Sequence, residues 1–232
     1  HGDEIAGVIV EPLVQCAGGM KMHKPDVLKT IADAAHAAGA LLICDEIAVN
    51  FGRAGTLFAH TQAGIAPDII CLGKALTGGA INLAATVATA DVFDAFLSDD
   101  PDAALMHGPT YMANPLACAA ANASLDLFET EPRLPQVETI EAQLARELAP
   151  VADLPGVVDV RVKGAIGAVE TGALHDLDWL KAQFVDAGIW LRPFGNVIYT
   201  MPPLTITSAE LSAITGAISD ILPRWAERAS GL

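Results

Sequence analysis

The sequence predicts an α/β fold in which a mostly parallel sheet is followed by a smaller α+β domain. The first half of the chain alternates short apolar runs with helical patterns, whereas the second half holds short strands among helices. Strands that alternate with helices indicate βαβ units and therefore parallel pairing. Apolar residues make up 52% of the 232 residues, which is enough to bury a substantial core.

The first half of the chain holds a strand, a helix and a strand in succession. The apolar run at 5–10 is typical of a fully buried strand. Pro25 suits the first turn of a helix that Gly39 would end. The other elements predicted in this half are strands at 41–44, 69–72 and 83–89 and a helix at 114–128. Two strands with a helix between them form a right-handed crossover, so we expect a parallel sheet.

The second half is predicted to be a separate α+β domain. The proline-containing stretch at 128–135 marks the boundary, which divides the chain into residues 1–130 and 131–232. The elements predicted here are helices near 136–149 and 177–187 and strands near 156–162, 165–170, 189–193 and 197–201. Residues 207–210 (TSAE) fit a capping box that starts a last helix, and Pro223 should kink or end that helix.

The composition excludes several classes of protein. A formal net charge of -15 repels nucleic acid and anionic membranes, so we expect neither as a partner. None of the four cysteines forms a C-x-x-C pair, which favours free buried thiols in a reducing compartment. There is no cluster of metal ligands, no signal peptide and no apolar run of the ~18 residues that a membrane span needs. We therefore expect a cytoplasmic protein without a metal.

Two charged residues follow apolar strands of the predicted sheet. Asp45 comes directly after the strand at 41–44, and Lys74 follows the strand at 69–72 after a single glycine. Ligands of open α/β sheets bind at the carboxyl ends of the strands, so we expect both side chains to belong to one site. Each residue alone could equally be a solvated residue at a strand end, and it is their combination that indicates a site.

This pair suits the chemistry of pyridoxal 5′-phosphate (PLP). A lysine amine that is unprotonated can attack a carbonyl group, which is how lysine holds PLP. The PLP ring withdraws electrons only while its nitrogen is protonated, and a carboxylate against that nitrogen keeps it so. We therefore predict that Lys74 is the catalytic lysine that carries PLP and that Asp45 binds the ring nitrogen.

A third candidate segment stands just ahead of the predicted helix at 114–128. Gly108 permits close approach of the backbone to a ligand. Thr110, after Pro109, offers a hydroxyl and an amide to a phosphate group near a helix N-terminus. Without further context, the same residues would be read as an ordinary Gly-Pro turn.

Two arginines are candidates for binding a substrate carboxylate. Arg192 is flanked by apolar residues, and a guanidinium group can hold a carboxylate through two parallel hydrogen bonds. The alternative for Arg192 is a structural ion pair. Arg53, in residues 50–53 (NFGR), is a second candidate for the same task, and a structural role is the alternative there too.

Several stretches of the sequence resemble the class III aminotransferases. They are residues 11–12 (EP), 45–47 (DEI), 51–53 (FGR), 68–79 (DIICLGKALTGG), 106–118 (MHGPTYMANPLAC), 164–170 (GAIGAVE), 191–195 (LRPFG) and 199–203 (YTMPP). The resemblance extends over nearly the whole chain and implies the fold-type-I architecture of PLP-dependent transferases. Residues 1–130 would then be the C-terminal half of the PLP-binding large domain, and residues 131–232 the small C-terminal domain.

The resemblance also implies a reaction. Within the class, residues 72–79, 106–118, 164–170, 191–195 and 199–203 are most similar to enzymes of biotin biosynthesis that take the amino group of S-adenosylmethionine and pass it to 8-amino-7-oxononanoate. Relatives of the ornithine and GABA type carry a Glu in a Gln-Gly-Glu run shortly after the Glu-Pro motif, and residues 15–19 (QCAGG) hold none. A donor other than glutamate is therefore implied, in a ping-pong reaction with two half-reactions.

Roles for individual residues follow from the same resemblance. Pro109 and Thr110 would contact the cofactor's phosphate from the partner subunit, in a homodimer with shared active sites. Gly108 and Arg192 would contact the substrate, Arg192 through its carboxylate. Lys74 would also meet the substrate, because it moves the proton during the reaction.

The sequence departs from the family in two respects. Residues 49–50 (VN) stand where relatives usually have Thr-Gly. The family's N-terminal half, which supplies a phosphate cradle, a tyrosine that stacks on PLP and aromatic residues of the substrate pocket, has no counterpart. The chain begins at His1, so we expect a fragment of a longer protein. We predict that this chain alone binds PLP poorly and is inactive.

Three other interpretations remain open. The chain could belong to a class III aminotransferase with another amine donor. It could be a non-catalytic α/β interaction domain, although drift would be expected to erase some of the candidate site residues. It could also be a doubly wound nucleotide-binding domain, but no glycine-rich phosphate loop follows the first strand.

Overall fold

The computed structural model describes residue 1 and residues 4–173 and 175–229. Tertiary contacts divide the chain into two compact units, here named unit one and unit two. Unit one comprises His1–Leu13, His23–Phe51 and Phe58–Glu131, and unit two comprises Val14–Met22, Gly52–Leu57 and Pro132–Leu232. Unit two thus takes two short segments from the first 57 residues, which a boundary drawn along the sequence cannot represent.

Nine strands and six α-helices are found in the described residues. The strands are β1 (Gly7–Val10), β2 (Val14–Gln15), β3 (Lys21–Met22), β4 (Leu41–Asp45), β5 (Ile69–Leu72), β6 (Ala85–Ala88), β7 (Val157–Lys163), β8 (Ile166–Thr171) and β9 (Val197–Thr200). The helices are α1 (Pro25–Ala37), α2 (Ala90–Asp94), α3 (Pro115–Thr130), α4 (Arg133–Leu148), α5 (Leu177–Asp186) and α6 (Ser208–Ala229).

Unit one is built on a four-stranded sheet with the order β1-β4-β5-β6. Strands β1, β4 and β5 run parallel, as the sequence predicts, whereas β6 runs antiparallel to β5. One face is covered, since Ala32 of α1 packs there against Leu42 and Cys44. Side chains alternate between faces along a strand, so Ile9 and Leu41 point to the other face, where they are 64% and 38% exposed. The prediction that the strand at 5–10 is fully buried is therefore wrong, because only one face of this sheet is covered.

Unit two closes around its own hydrophobic core. Its sheet is antiparallel with the order β7-β8-β9, and helices α4, α5 and α6 contribute to the same core. The buried core residues are Val137, Ile140, Leu144, Leu148, Val151, Ala165, Val169, Leu180, Phe184, Leu191, Ile198, Leu211, Ile218, Ile221, Leu222 and Trp225. Burial of each large apolar side chain contributes about 1.5–3 kcal/mol, which makes this core the main source of stability in unit two.

The last helix begins as predicted but does not end at Pro223. The Thr207 hydroxyl accepts the Glu210 amide at 3.3 Å, and the Glu210 carboxylate accepts the Thr207 amide at 2.8 Å, which confirms the capping box. Pro223 lies inside α6, which continues to Ala229. Leu222 and Trp225, on either side of the proline, are buried in the core, and this packing keeps the segment helical.

Two further predictions have clear outcomes. The strand predicted at 189–193 is wrong, because that segment has no regular structure and only Phe194 forms an isolated bridge, to Val197. Pro193 has no N–H group to offer to a strand partner, which disfavours ladder pairing there. None of the four cysteines forms a disulfide, as expected, but only Cys16 and Cys44 are buried, whereas Cys71 and Cys118 are half-buried. Among the described residues, no helix combines the length and apolar character required to cross a bilayer.

Candidate active site

Asp45 and Lys74 lie at the carboxyl ends of two adjacent parallel strands. Asp45 is the last residue of β4, and its register partner on β5 is Cys71. Lys74 follows three residues after Cys71, at the start of a 3₁₀ turn over Lys74–Thr77. Both residues therefore leave the sheet of unit one at the same edge, where ligands of open α/β sheets bind.

The Asp45 carboxylate has one oxygen fixed and one without a partner. Its Oδ1 accepts the backbone amide of Ile47 at 3.0 Å. Among the described residues, nothing forms a hydrogen bond or ion pair with Oδ2. Burial and then the charge of this carboxylate raise the pKa of the Cys71 thiol. Asp45 therefore presents an oriented negative charge that can accept a further hydrogen bond.

Lys74 stands on a rigid turn with its amine exposed. Its φ angle is +46°, a left-handed conformation that costs a non-glycine residue about 1 kcal/mol or more. The turn is held because the Ser124 hydroxyl donates to the Ala75 carbonyl at 3.3 Å and the Thr77 hydroxyl donates to the Ile81 carbonyl. Within the part of the chain that the structure describes, the Lys74 amine forms no hydrogen bond or ion pair.

Sequence reasoning missed a buried pair directly after Asp45. The Glu46 carboxylate is fully buried and accepts the amides of Ala59 and His60 at 2.8 Å each. The His60 ring also lies against it, with Nδ1 2.7 Å from Oε1. Because the carboxylate only accepts, Nδ1 must carry the hydrogen. Glu46 thereby caps the 3₁₀ turn Ala59–Ala63, and no local pattern in the sequence could have revealed a partner 14 residues away.

The segment with Gly108, Pro109 and Thr110 is exposed throughout. The helix that follows begins at Pro115, and Asn114 caps it, since its Oδ1 accepts the Leu116 amide at 2.9 Å. A Cβ added at Gly108 would meet nothing within 4 Å, so no atom of this chain requires a glycine there. The predicted phosphate and substrate contacts of this segment therefore stay predictions.

Arg192 is exposed in unit two and forms no ion pair with any described residue. The alternative that Arg192 belongs to a structural ion pair is therefore not supported among those residues. Its neighbours Trp190 and Phe194 are 78% and 54% exposed. The Arg192 guanidinium is thus available to bind a carboxylate, with aromatic surface beside it.

Arg53 has a structural role in unit two, where it binds two backbone carbonyls. Its Nη1 donates to the carbonyls of Ala165 at 3.1 Å and Pro202 at 2.6 Å, and burial lowers its pKa. Gly164 explains why the backbones meet so closely, because a Cβ there would lie 2.4 Å from the Arg53 carbonyl oxygen. The predicted substrate contact of Arg53 would have to use its other nitrogens.

A second ionic cluster that the sequence did not reveal centres on Arg161. This guanidinium pairs with Asp159 and Glu170 and donates to the carbonyls of Gly19 and Met20. The hydrogen bond that Arg161 donates to Glu170 is the main cause that lowers the pKa of the Glu170 carboxyl. All of these residues belong to unit two, so the cluster holds the β2–β3 hairpin to the sheet of the same unit.

The comparison with known proteins identifies the family. The profile of the class III aminotransferases matches residues 1–222. The chain belongs to the class III aminotransferase family. Its members and the solved structures similar to the chain are PLP-dependent enzymes with an α/β fold, which confirms the predicted fold class and cofactor.

Individual relatives agree with this placement. The adenosylmethionine-8-amino-7-oxononanoate aminotransferase of Mycobacterium leprae (strain TN) is 47% identical over 221 residues, which cover 95% of this chain and 50% of the relative. The crystal structure of the enzyme with the same name from Methanocaldococcus jannaschii DSM 2661 matches with a TM-score of 0.89 at 31% identity, over 97% of this chain and 55% of that one.

A solved structure with another name is equally similar. A thermostable (S)-enantioselective omega-transaminase from Thermomicrobium roseum matches with a TM-score of 0.90 at 31% identity, over 97% of this chain and 52% of that one. The chain spans about half the length of the curated relatives it matches.

Proposed function

We propose that the protein is an aminotransferase of biotin biosynthesis, which moves the amino group of S-adenosylmethionine to 8-amino-7-oxononanoate to give 7,8-diaminononanoate. The observation that carries this proposal is the placement of Lys74 and Asp45 at the ends of adjacent parallel strands, where the lysine amine and one carboxylate oxygen have no partner among the described residues. The names of relatives 40–47% identical to the chain supply the two substrates.

The residues present fit PLP. An amine without a partner in the described chain can hold the aldehyde carbon of the cofactor, and a carboxylate oxygen without a partner can face its ring nitrogen. When bound, PLP supplies an electron sink that weakens the bonds at the amine-bearing carbon of a substrate. Lys74 and Asp45 are the residues of unit one that would hold it.

Asp45 would keep a proton on the ring nitrogen. Its Oδ1 is fixed by the Ile47 amide, so Oδ2 would be the atom that accepts a hydrogen bond from the protonated ring nitrogen. A carboxylate oriented in advance needs little reorganisation when charge develops nearby. Replacement by an amide would keep the shape of the side chain and remove the charge.

Lys74 would act as the base and acid at the amine-bearing carbon of the substrate. Its Nζ is exposed and forms no bond with a described residue, while its backbone is fixed by the turn Lys74–Thr77. An exposed amine whose backbone is held in place can take a proton from one atom and return it to another.

Substrate recognition and assembly extend the proposal beyond unit one. Arg192 would bind the carboxylate that both substrates carry, and Gly108 and Arg53 would line the substrate. Pro109 and Thr110 would contact the cofactor's phosphate across the interface of a homodimer. The exposure of the segment around Thr110 is what a contact with another chain requires.

A second candidate is another class III aminotransferase with a different amine donor. The observation that favours it is the omega-transaminase structure, which matches this chain with a TM-score of 0.90. A non-catalytic interaction domain is the candidate from another class, and it would leave the exposed amine of Lys74 without a task.

A donor assay separates these candidates. The chain is combined with the part of the Mycobacterium leprae relative that it does not span, and amino transfer to 8-amino-7-oxononanoate is measured with S-adenosylmethionine, lysine, ornithine and GABA. We expect turnover with S-adenosylmethionine only, none from the chain alone, and none after Lys74→Ala. Turnover with another donor alone supports the second candidate, and a combined, folded complex without turnover supports the interaction domain.

A further inference from the structure

Asn50 links the segment that follows Asp45 to the residue before Lys74. Its side chain is almost fully buried, at 1% exposure, and its Nδ2 donates to the carbonyl of Gly73 at 3.4 Å. Because a carbonyl only accepts hydrogen bonds, the amide must present its nitrogen there, which fixes the orientation of the whole side chain.

The Gly73 carbonyl is a junction between two segments of unit one. It also accepts the amide of Leu76 at 3.1 Å, the bond that closes the turn carrying Lys74. A Cβ added to Gly73 would lie 3.3 Å from a methyl group of Ile47, whose own amide holds the Asp45 carboxylate. The segment at 45–50 thus leaves little room beside Gly73 and forms one hydrogen bond with it.

The backbone of Lys74 needs such support. A φ of +46° is unfavourable for a side chain with a Cβ and persists only where neighbouring contacts hold it. The side-chain oxygen of Asn50, Oδ1, is buried without a hydrogen-bond partner among the described residues, which is unfavourable. The hydrogen bond from Nδ2 is therefore what favours asparagine at this position. An apolar side chain would fill the same space without an unpaired oxygen.

We propose that Asn50 is a positioning residue for Lys74. The side-chain amide of Asn50 holds the Gly73 carbonyl and thereby the turn that carries the Lys74 amine at the same sheet edge as Asp45. The role of Lys74 itself rests on the proposed function. Asn50→Gly removes the side chain and with it the hydrogen bond to the Gly73 carbonyl.

Residue-resolved hydrogen exchange of the full chain tests this proposal. The reporter is the Leu76 amide, which shares the Gly73 carbonyl with Asn50. The reference is the Leu42 amide, which bonds to the Asp68 carboxylate at 2.7 Å in the same unit. The variants are Asn50→Gly, which removes the donor, and Asn50→Asp, which places an oxygen against the carbonyl. The control is Asn122→Asp, which makes the same charge change on the exposed surface of α3.

We expect Leu76 to exchange about fivefold faster relative to Leu42 in Asn50→Gly, the effect of one lost hydrogen bond, and faster still in Asn50→Asp. The control should leave the ratio unchanged. A residue that only stabilises the unit would speed the exchange of both amides by the same factor and leave their ratio unchanged. An unchanged ratio therefore overturns the proposal. If PLP later proves to be held by another lysine, the proposed function fails while the exchange result still decides what Asn50 does to the turn.

Discussion

The two units differ in how completely they bury their apolar side chains. Of the twenty large apolar side chains that are exposed among the described residues, all but four lie in unit one. Unit two has a closed core, whereas unit one leaves one sheet face and the segment at 105–116 exposed. Exposed patches of this kind mark surfaces that meet other protein. The residues proposed to hold PLP thus belong to the unit that exposes more large apolar side chains, whereas unit two buries most of its own.

The largest effect is expected in unit two, at Gly164. An alanine Cβ would lie 2.4 Å from the Arg53 carbonyl oxygen, on a residue whose φ is +54°, so the two backbones would have to separate. We expect Gly164→Ala to lower the free energy of unfolding by about 4 kcal/mol or more. All three tryptophans belong to unit two, so urea unfolding followed by tryptophan fluorescence reports it.

Gly172→Ala is the matched control for that substitution. Its Cβ would meet nothing within 4 Å, and its stability should stay within about 0.5 kcal/mol of the parent. Equal losses in the two variants would mean that close approach of the backbones is not what requires glycine at 164.

The same substitution in a strand of each unit tests the comparison itself. Ile198 of β9 is fully buried, so Ile198→Thr should cost about 3 kcal/mol through lost burial and a buried hydroxyl. Ile9 of β1 is 64% exposed, so Ile9→Thr should change stability by less than about 0.5 kcal/mol. Far-ultraviolet circular dichroism in urea detects both units. A large loss for Ile9→Thr would show that its sheet face is covered in solution.

A medium effect is expected for the ionic cluster of unit two. Arg161→Met leaves Glu170 and Asp159 without their cation and removes the bonds to the β2–β3 hairpin, which should cost about 2–3 kcal/mol. Arg146→Met is the control, because that side chain is 66% exposed in its pair with Glu147, and such pairs contribute about 0–1 kcal/mol. Similar losses would contradict a special role for Arg161.

The smallest effect concerns pH and unit one. The Leu42 amide, and then His36, hold the pKa of the Asp68 carboxyl below its ordinary value. A carboxyl whose pKa is lowered by folding stabilises the folded state above its unfolded pKa of about 3.9. That contribution is lost as the pH falls through the folded pKa. Asp68→Ala should therefore cost about 1 kcal/mol at pH 7 and less at pH 3. A loss that is equal at both pH values would exclude this mechanism.

The sequence was most informative where a local pattern determines structure. The apolar runs located β1, β4 and β5, and the TSAE box located the start of α6, because propensity and periodicity act over a few residues. The direction of β6 and the absence of a strand at 189–193 depend on partners elsewhere in the chain, so the local pattern was insufficient. Lys74 and Asp45 became candidates because a charge after an apolar strand stands out, and their role in the site stays a prediction. Glu46 and Arg161 were missed because all of their partners except Asp159 lie 9–142 residues away.

The central claim is that PLP is held by Lys74, with Asp45 at its ring nitrogen. The most direct measurement is to load the combined complex with PLP, reduce it with borohydride to fix the cofactor to the amine that holds it, and map the modified peptide by mass spectrometry. We expect the modification on Lys74, and a weaker yield at the same residue in Asp45→Asn. Stoichiometric modification of another lysine, in a complex that transfers amino groups, would contradict the claim.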